Sequence, residues 1–469
     1  MSQGGGTRSS TLARRPQHGG VLLGLAGGML VVAAGFMGGY YVLGTRSEAN
    51  AATVPAARTE PVKTTAAQIG SLDALLAQQV EIQLATGKDK TTLDRITWAE
   101  LGLSIDHDEA KRVTSTNLKA LAAKGSLPLT LDRDKAVKAL LQLKAKHDRA
   151  AINAYLDLEA RVIHDDRPGQ GVDVFGSLPR IAAAARSAAP AVELLAVAMP
   201  ASVTKATIGI DDISHVLGHY ETKFPVTDRD RNYNLKLAAS KVNGYVMKPG
   251  EEWSFNATVG ERSQKMGYKV AHVITAGEMV DGLAGGTCQI STTLFGAAFF
   301  AGLDVVKTTN HSRPSAYTPL GFDATVVWPD TDLKLKNPYD FPVVLRYVVA
   351  NGEAKVEILG KKRPYDKIVF ERKVLEEMPF GYEERLDEEM PLDQTSIDQA
   401  GFNGFLLERF RRFYKGGKLV KTNKWQVRYK PVTEYIRRGT NPDPNAKMPE
   451  VKEAHGPKMP KGDTFSMAQ

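Results

Sequence analysis

One cysteine in 469 residues stands at the head of a run that constrains the fold more than any other stretch. The run reads Gly285-Gly286-Thr287-Cys288-Gln289-Ile290-Ser291-Thr292-Thr293-Leu294 and continues through small and apolar residues to Ala301, where Gly302 stops it. Ile290, Thr293, Leu294, Ala297, Ala298 and Ala301 recur at three- and four-residue intervals, which predicts a buried helix. Cys288 then falls just before or within the first turn, where unpaired N–H groups and the helix dipole favour a thiolate. A small buried hydrophobe accounts for the same cysteine, and the ten residues alone do not choose between the two readings.

The chain is long enough for several domains, and with 42% hydrophobic and 24% charged residues it is ordinary globular material. Its N-terminus is the exception. Val21 to Leu43 carries no charge and is long enough to cross a bilayer with some tilt. A cleaved signal peptide competes with that reading, because Ala51-Ala52 lies close behind. Arg8, Arg14 and Arg15 precede the span, while Arg46 and Glu48 cancel after it, which predicts a single-pass, N-in helix in the cytoplasmic (inner) membrane. The bulk of the chain is then expected on the periplasmic or extracellular side. There cysteines are normally paired, so a chain that keeps one, placed after Gly-Gly at a helix start, points to a working thiol. The net charge of +8 and a pI near 9.2 suit an anionic envelope surface and carry no nucleic-acid signature.

The organisation expected from the chain is α+β and multidomain: a cytoplasmic tail (1–20), a transmembrane helix (21–43) and an Ala/Thr/Pro-rich linker (44–71). An α+β domain (72–210) comes next, then an α+β domain with mostly antiparallel strands (211–360), a small β-module (361–440) and a disordered tail (441–469). In the first folded region Thr97-Trp98-Ala99-Glu100 fits a capping box, and Asp134 opens a helix. In the second, Asn234 is placed as a helix cap, Lys269–Thr275 and Glu278–Asp281 as a hairpin, and Thr325–Trp328 as a strand. In the third, Arg409, Arg411, Arg412, Lys415, Lys418, Lys421 and Lys424 crowd one stretch. They read either as a solvated strand face or as a clamp on anionic glycan or lipid.

A thiol nucleophile needs a base or imidazolium and a group to orient it. Of nine histidines, His215, His219, His272 and His311 fall in the second folded region. His311 sits in Asn310-His311-Ser312-Arg313, between strand and turn signals, and is the partner assigned to Cys288. Asp323 is assigned to hold its tautomer, unless it caps backbone instead. Arg313 is placed to bind a peptide carboxylate, Gly285 and Gly286 to admit substrate backbone, and the N–H groups of Cys288 and Gln289 to stabilise an oxyanion. No cofactor is required by this set. Zinc is the second reading, held by Cys288, His311 and His272, although no Cys-x-x-Cys or His-Glu-x-x-His spacing exists.

Several ordered motifs resemble the VanW family: Pro249-Gly250-Glu251, Phe255-Asn256, Val259-Gly260-Glu261-Arg262, Gly285-Gly286-Thr287-Cys288-Gln289, Asn310-His311-Ser312-Arg313 and the segment Tyr317 to Thr325. Residues 130–206 loosely resemble the peptidoglycan-binding domain that accompanies L,D-transpeptidases, and the third region resembles cell-wall modules that follow VanW domains. The resemblance implies a peptidoglycan partner, with stem peptides as substrate, and a cysteine-dependent L,D-transpeptidase that forms 3–3 cross-links. A non-catalytic peptidoglycan- or envelope-binding protein is the alternative. In the familiar L,D-transpeptidase fold the histidine lies upstream of the cysteine, so that geometry does not transfer to this chain.

Overall fold

The computed structural model describes residues 71–113, 117–275, 278–449, 456 and 458–469; for 274, 275 and 278–281 it gives the backbone only. All of them belong to one compact unit, Lys63–Gln469.

The first described region builds its own core. Gln79–Thr86 pairs antiparallel with Asp89–Thr97 and parallel with Ala191–Met199, and Gly169–Val172 closes that four-stranded sheet. Helices Arg133–His147 and Val174–Arg186 pack on it, capped by Asp132 and Asp173, whose carboxylates accept from free first-turn N–H groups. Ile82, Leu140, Ile181 and Leu194 are sealed between the layers. The Thr97/Glu100 box forms, with Thr97 N donating to Glu100 Oε2 at 2.7 Å, yet it closes a turn and no helix follows.

The central region is organised around the helix Thr287–Ala301, hereafter the cysteine helix. Gly286 caps it at φ +100°, a left-handed conformation that only glycine adopts without strain. Below the helix lies an antiparallel sheet in the order Tyr245–Met247, Val343–Ala350, Glu353–Gly360, His215–Lys223. The helix runs against the edge strand so closely that a Cβ on Gly218 would stand 2.2 Å from Ala301 N. Ile290, Leu294, Ala297, Phe299 and Ala301 all face core, which explains why the run carries no charge. The hairpin Val270–Thr275/Glu278–Leu283 forms as expected. Asn234 does not cap its helix. Asp228 does, and Asn234 is buried mid-helix, donating to Lys269 O and Gly285 O. The strand expected at Thr325–Trp328 is reduced to an isolated bridge between Val327 and Thr331.

The C-terminal region is all strand. Lys418–Tyr429, Gly404–Lys415, Lys367–Met378 and Thr464–Ala468 form one sheet, and Tyr382–Pro391, Glu434–Asn441 and Thr395–Gln399 form another. Thr464–Ala468, expected within a disordered tail, is thus a paired strand.

Two expectations are corrected. The chain is not the α+β protein expected: strand dominates the described residues, and the Lys/Glu-rich stretches from 367 to 441 lie on long paired strands. Nor does the structure show the single-pass membrane helix, and with it the inner-membrane location, expected of the chain. Among the described residues no helix is long and apolar enough to cross a membrane. The long helices Arg133–His147 and Thr287–Ala301 have 15 residues each, and about 20 are needed. The Val21–Leu43 stretch lies outside the described residues.

Candidate active site

Cys288 occupies the first turn of the cysteine helix and is half-buried. As a thiol it donates to Val326 O at 3.4 Å. The imidazole of His311 is its hydrogen-bond partner. His311 is itself 6% exposed, and its Nδ1 lies 2.5 Å from Asp323 Oδ2. The same carboxylate oxygen accepts the backbone N–H of His311 at 2.7 Å. Holding Nδ1–H on a carboxylate leaves Nε2 as the nitrogen for the thiol, which is the orienting role of the third member of a triad. The sequence-assigned residues Cys288, His311 and Asp323 are therefore brought together.

Electrostatics favour the ion pair. Burial opposes a thiolate at Cys288, but the hydrogen bond and charge of His311, joined by the Arg262 guanidinium, bring its pKa below the ordinary thiol value. Burial likewise opposes charge on His311. Tyr317, Asp323 and Cys288 outweigh it and hold the imidazole well above its ordinary value. Asp323 is 2% exposed, and burial pushes its carboxyl up; His311 and the hydroxyl of Tyr429 overcome that and keep it lowered.

Three neighbours went unassigned in the sequence. Tyr317 OH lies 3.5 Å from His311 Nε2. Arg231 donates from Nη2 to Gln289 Oε1 at 2.6 Å, while its Nη1 has no hydrogen-bond partner among the described residues. Arg262 donates from Nη1 to Gly260 O at 3.3 Å, and its Nη2 is similarly without a partner. Arg262 stands in a motif that was legible, but nothing local to it signals a cation beside a thiol.

Other assigned residues are placed differently. The amide of Gln289 is taken up by Arg231, Thr222 Oγ1 and Lys223 O, and its N–H donates to Gly286 O at 2.9 Å, so it supports the site from within the core. Gly285 admits protein backbone: a Cβ there would lie 2.5 Å from His272 O. Gly286 makes room for Arg231 and Leu235. Arg313 is buried with its guanidinium 4.6 Å from the Phe402 ring. His272 has an exposed side chain opposite Asp281 on the hairpin, and among the described residues no group of three His, Cys, Asp or Glu could hold a metal ion. The zinc set Cys288, His311 and His272 is therefore not assembled. His215 and His219 lie on a strand.

Fold and site together define a β-rich protein with a histidine-paired thiol at a helix start, built beside an all-β module. Comparison with known proteins gives that description a family. A model described as VanW like protein matches residues 230–359, and a G5 domain model matches residues 370–441. Over 130 residues the chain is 42% identical to YoaR, an uncharacterized protein of Bacillus subtilis, covering 28% of this chain and 43% of that one. Over 144 residues it is 27% identical to the vancomycin B-type resistance protein VanW of Enterococcus faecalis, covering 30% and 52%. The chain thus spans about half the length of these relatives. Among solved structures, the G5 domain of an IgA1 protease matches at 15% identity and a TM-score of 0.12, covering 17% of this chain and 96% of that one. The HP0197 G5 domain matches at 25% and 0.10, covering 16% and 99%. The chain thus carries a VanW-like domain over residues 230–359 and a G5 domain over residues 370–441, a pairing that marks a protein of the cell envelope.

Proposed function

We propose that the protein is a thiol-dependent acyltransferase acting on peptidoglycan stem peptides, of the L,D-transpeptidase type. The observation that carries this reading is the Cys288–His311–Asp323 arrangement, with Nδ1 of His311 2.5 Å from the carboxylate and Cys288 hydrogen-bonded to the ring. The Cys288 thiolate attacks the carbonyl of the amide that follows the third stem residue. The bond to the terminal D-alanine breaks, and its amine leaves with a proton from the His311 imidazolium. A thioester remains. The neutral imidazole then takes a proton from the side-chain amine of a second stem, which attacks the thioester, releases Cys288 and forms a 3–3 cross-link. Water in the same role gives carboxypeptidase chemistry. Both steps keep charge within a half-buried site where ordered donors act strongly.

Arg231 and Arg262 take over the carboxylate-binding role first given to Arg313. Each has a buried guanidinium nitrogen without a partner among the described residues, a cost that an anionic group of the substrate relieves. The G5 domain, and residues 72–210 if they act as a wall-binding domain, keep the site on its polymer.

Cys288→Ala tests the reading directly. With purified disaccharide-tetrapeptides, the variant is expected to form no cross-linked dimer and release no D-alanine; survival of either product sinks the enzyme. A non-catalytic wall-binding protein is the second reading. It is favoured by two surface concavities of about 610 and 380 Å³, lined by His219, Lys355 and Arg363 and by Phe224 and Tyr233 among others, neither of them lined by Cys288.

A further inference from the structure

His311, Tyr317 and Asp323 all lie between the strands Asp304–Lys307 and Lys334–Lys336, on a segment that forms no helix or strand of its own. A loop of this length does not hold a carboxylate and an imidazole in register by its own hydrogen bonds, so something else must fix it. Within the loop, Asp323 Oδ2 meets His311 at the backbone N–H and at Nδ1, Ser315 Oγ lies 3.1 Å from the same Nδ1 and Tyr317 OH 3.5 Å from Nε2, while Ser291 Oγ of the cysteine helix donates to Ala324 O at 2.6 Å. The other carboxylate oxygen accepts from the hydroxyl of Tyr429, a residue of the G5 domain 106 positions further along the chain.

That contact is one of a set. The Tyr429 hydroxyl also accepts the N–H of Gly321 at 3.0 Å, and Arg409 Nη1 donates to Gly321 O at 3.1 Å. Asn310 Nδ2, next to His311, donates to Arg428 O at 2.9 Å. Leu320 is buried in a cluster whose other members, Phe405, Leu407 and Tyr429 among them, belong to the G5 strands. Packing alone would be served by phenylalanine at 429. Tyrosine there is 1% exposed, and a hydroxyl so buried is tolerated because it is bonded on both sides.

We propose that the G5 domain is a working part of the thiol site, and that Tyr429 is a positioning residue which fixes the Asp323 carboxylate and, through it, the His311 ring. The inference rests on the acyl-transfer reading for its chemical purpose. It makes the site incomplete without a domain otherwise regarded as a wall-binding accessory. The other groups that set the ring and thiol, Arg262 and Tyr317, keep their places when the hydroxyl alone is removed, so only the hold on the Asp323 carboxylate changes. The change is therefore read at His311 and Cys288.

The test uses the full chain and follows iodoacetamide labelling of Cys288 against pH. The unmodified chain is expected to label with a midpoint below the ordinary thiol value of about 8.5. Tyr429→Phe frees the carboxylate to rotate off Nδ1. Its midpoint is expected to rise by about one pH unit, with labelling at pH 7 slowed roughly tenfold. A Tyr429→Phe profile that superimposes on the unmodified one overturns the proposal, even if thermal stability falls, because a purely structural tyrosine changes stability and not the thiol. Should that variant fail to fold, Asn310→Ala replaces it. It cuts the tie beside His311 near the surface, and an unchanged midpoint there overturns the proposal equally. The underlying reading fails differently: the unmodified chain itself then labels with a midpoint near about 8.5.

Discussion

The central region has two neighbours, and they meet it in different ways. The region before it keeps a sheet and core of its own. It touches the centre through a small apolar cluster, in which Leu156, Leu158 and Ile163 lie against Ile210, Ile213, Val344 and Leu359, and through an ion pair from Arg161 to Glu357 at 3.2 Å. The G5 domain shares the central core itself. Phe370 and Phe413 belong to the same cluster as Phe299 and Phe322. Arg411, 0% exposed, donates to Leu303 O at 2.7 Å and Ala298 O at 3.2 Å, closing the end of the cysteine helix, with its guanidinium 4.7 Å from the Phe299 ring. One neighbour is attached; the other is built in. A connection made of few partly exposed groups is replaceable, whereas one that satisfies the last carbonyls of the cysteine helix is not.

The strongest way to break this comparison is Arg411→Ala, which strands the buried carbonyl of Leu303, leaves Ala298 O to backbone N–H groups alone and opens a cavity. It is expected to cost about 3 kcal/mol in urea unfolding; a loss near that of a surface ion pair would place the G5 domain with the attached neighbour.

Asp323→Asn comes next and sharpens the link to the site. Labelling of Cys288 at pH 7 is expected to slow about tenfold or more, since the imidazolium loses its anion. The pH dependence of stability has a definite sign. The Asp323 carboxyl is lowered on folding, so its contribution is present above the unfolded value of about 3.9 and lost as pH falls through the folded one. His311 is raised, so its contribution is full below about 6.5 and lost as pH rises through the folded value. The melting temperatures of the two proteins should therefore differ most between about pH 4 and 6.5, and converge on either side. A difference independent of pH would mean that the two groups do not form a charged pair.

The smallest effect is expected from Arg161→Ala. Glu357 keeps Arg346 at 2.6 Å and Lys355 at 3.6 Å, so the loss should stay below about 1 kcal/mol, with the Cys288 labelling profile unchanged. A shifted profile would show that the first region also reaches the site.

The parts of the site legible in the sequence were those marked by local chemistry. Cys288 was visible because a lone cysteine follows two glycines into an uncharged run, and His311 and Asp323 because each sits among turn residues that can deliver a side chain. Tyr429 was not legible. It lies in an alternating strand where a tyrosine reads as core, and its partner is in another domain. Arg409 and Arg411 sat within what read as either a solvated strand face or an anion clamp, yet both point inward and stack on Phe295, Trp425, Phe299 and Phe413. Periodicity showed which residues alternate and could not tell which face would be covered. The β-dominated fold escaped for the same reason, since runs such as Tyr382–Pro391 are too charged to look like strands until Arg437 and Arg438 are paired across from them.

Arg411 has one more consequence, and it concerns time. A ribosome delivers the cysteine helix well before the strand Gly404–Lys415, so the carbonyl of Leu303 waits for a cation that has not yet been made, while Ala298 O has only its backbone donors. Ser291 and Thr292 of the cysteine helix already hold the loop at Ala324, but until that strand and Tyr429 arrive the Asp323 carboxylate lacks the hydroxyl proposed to fix it. On the positioning proposal, the newborn chain is thereby spared a reactive nucleophile until Tyr429 has been made.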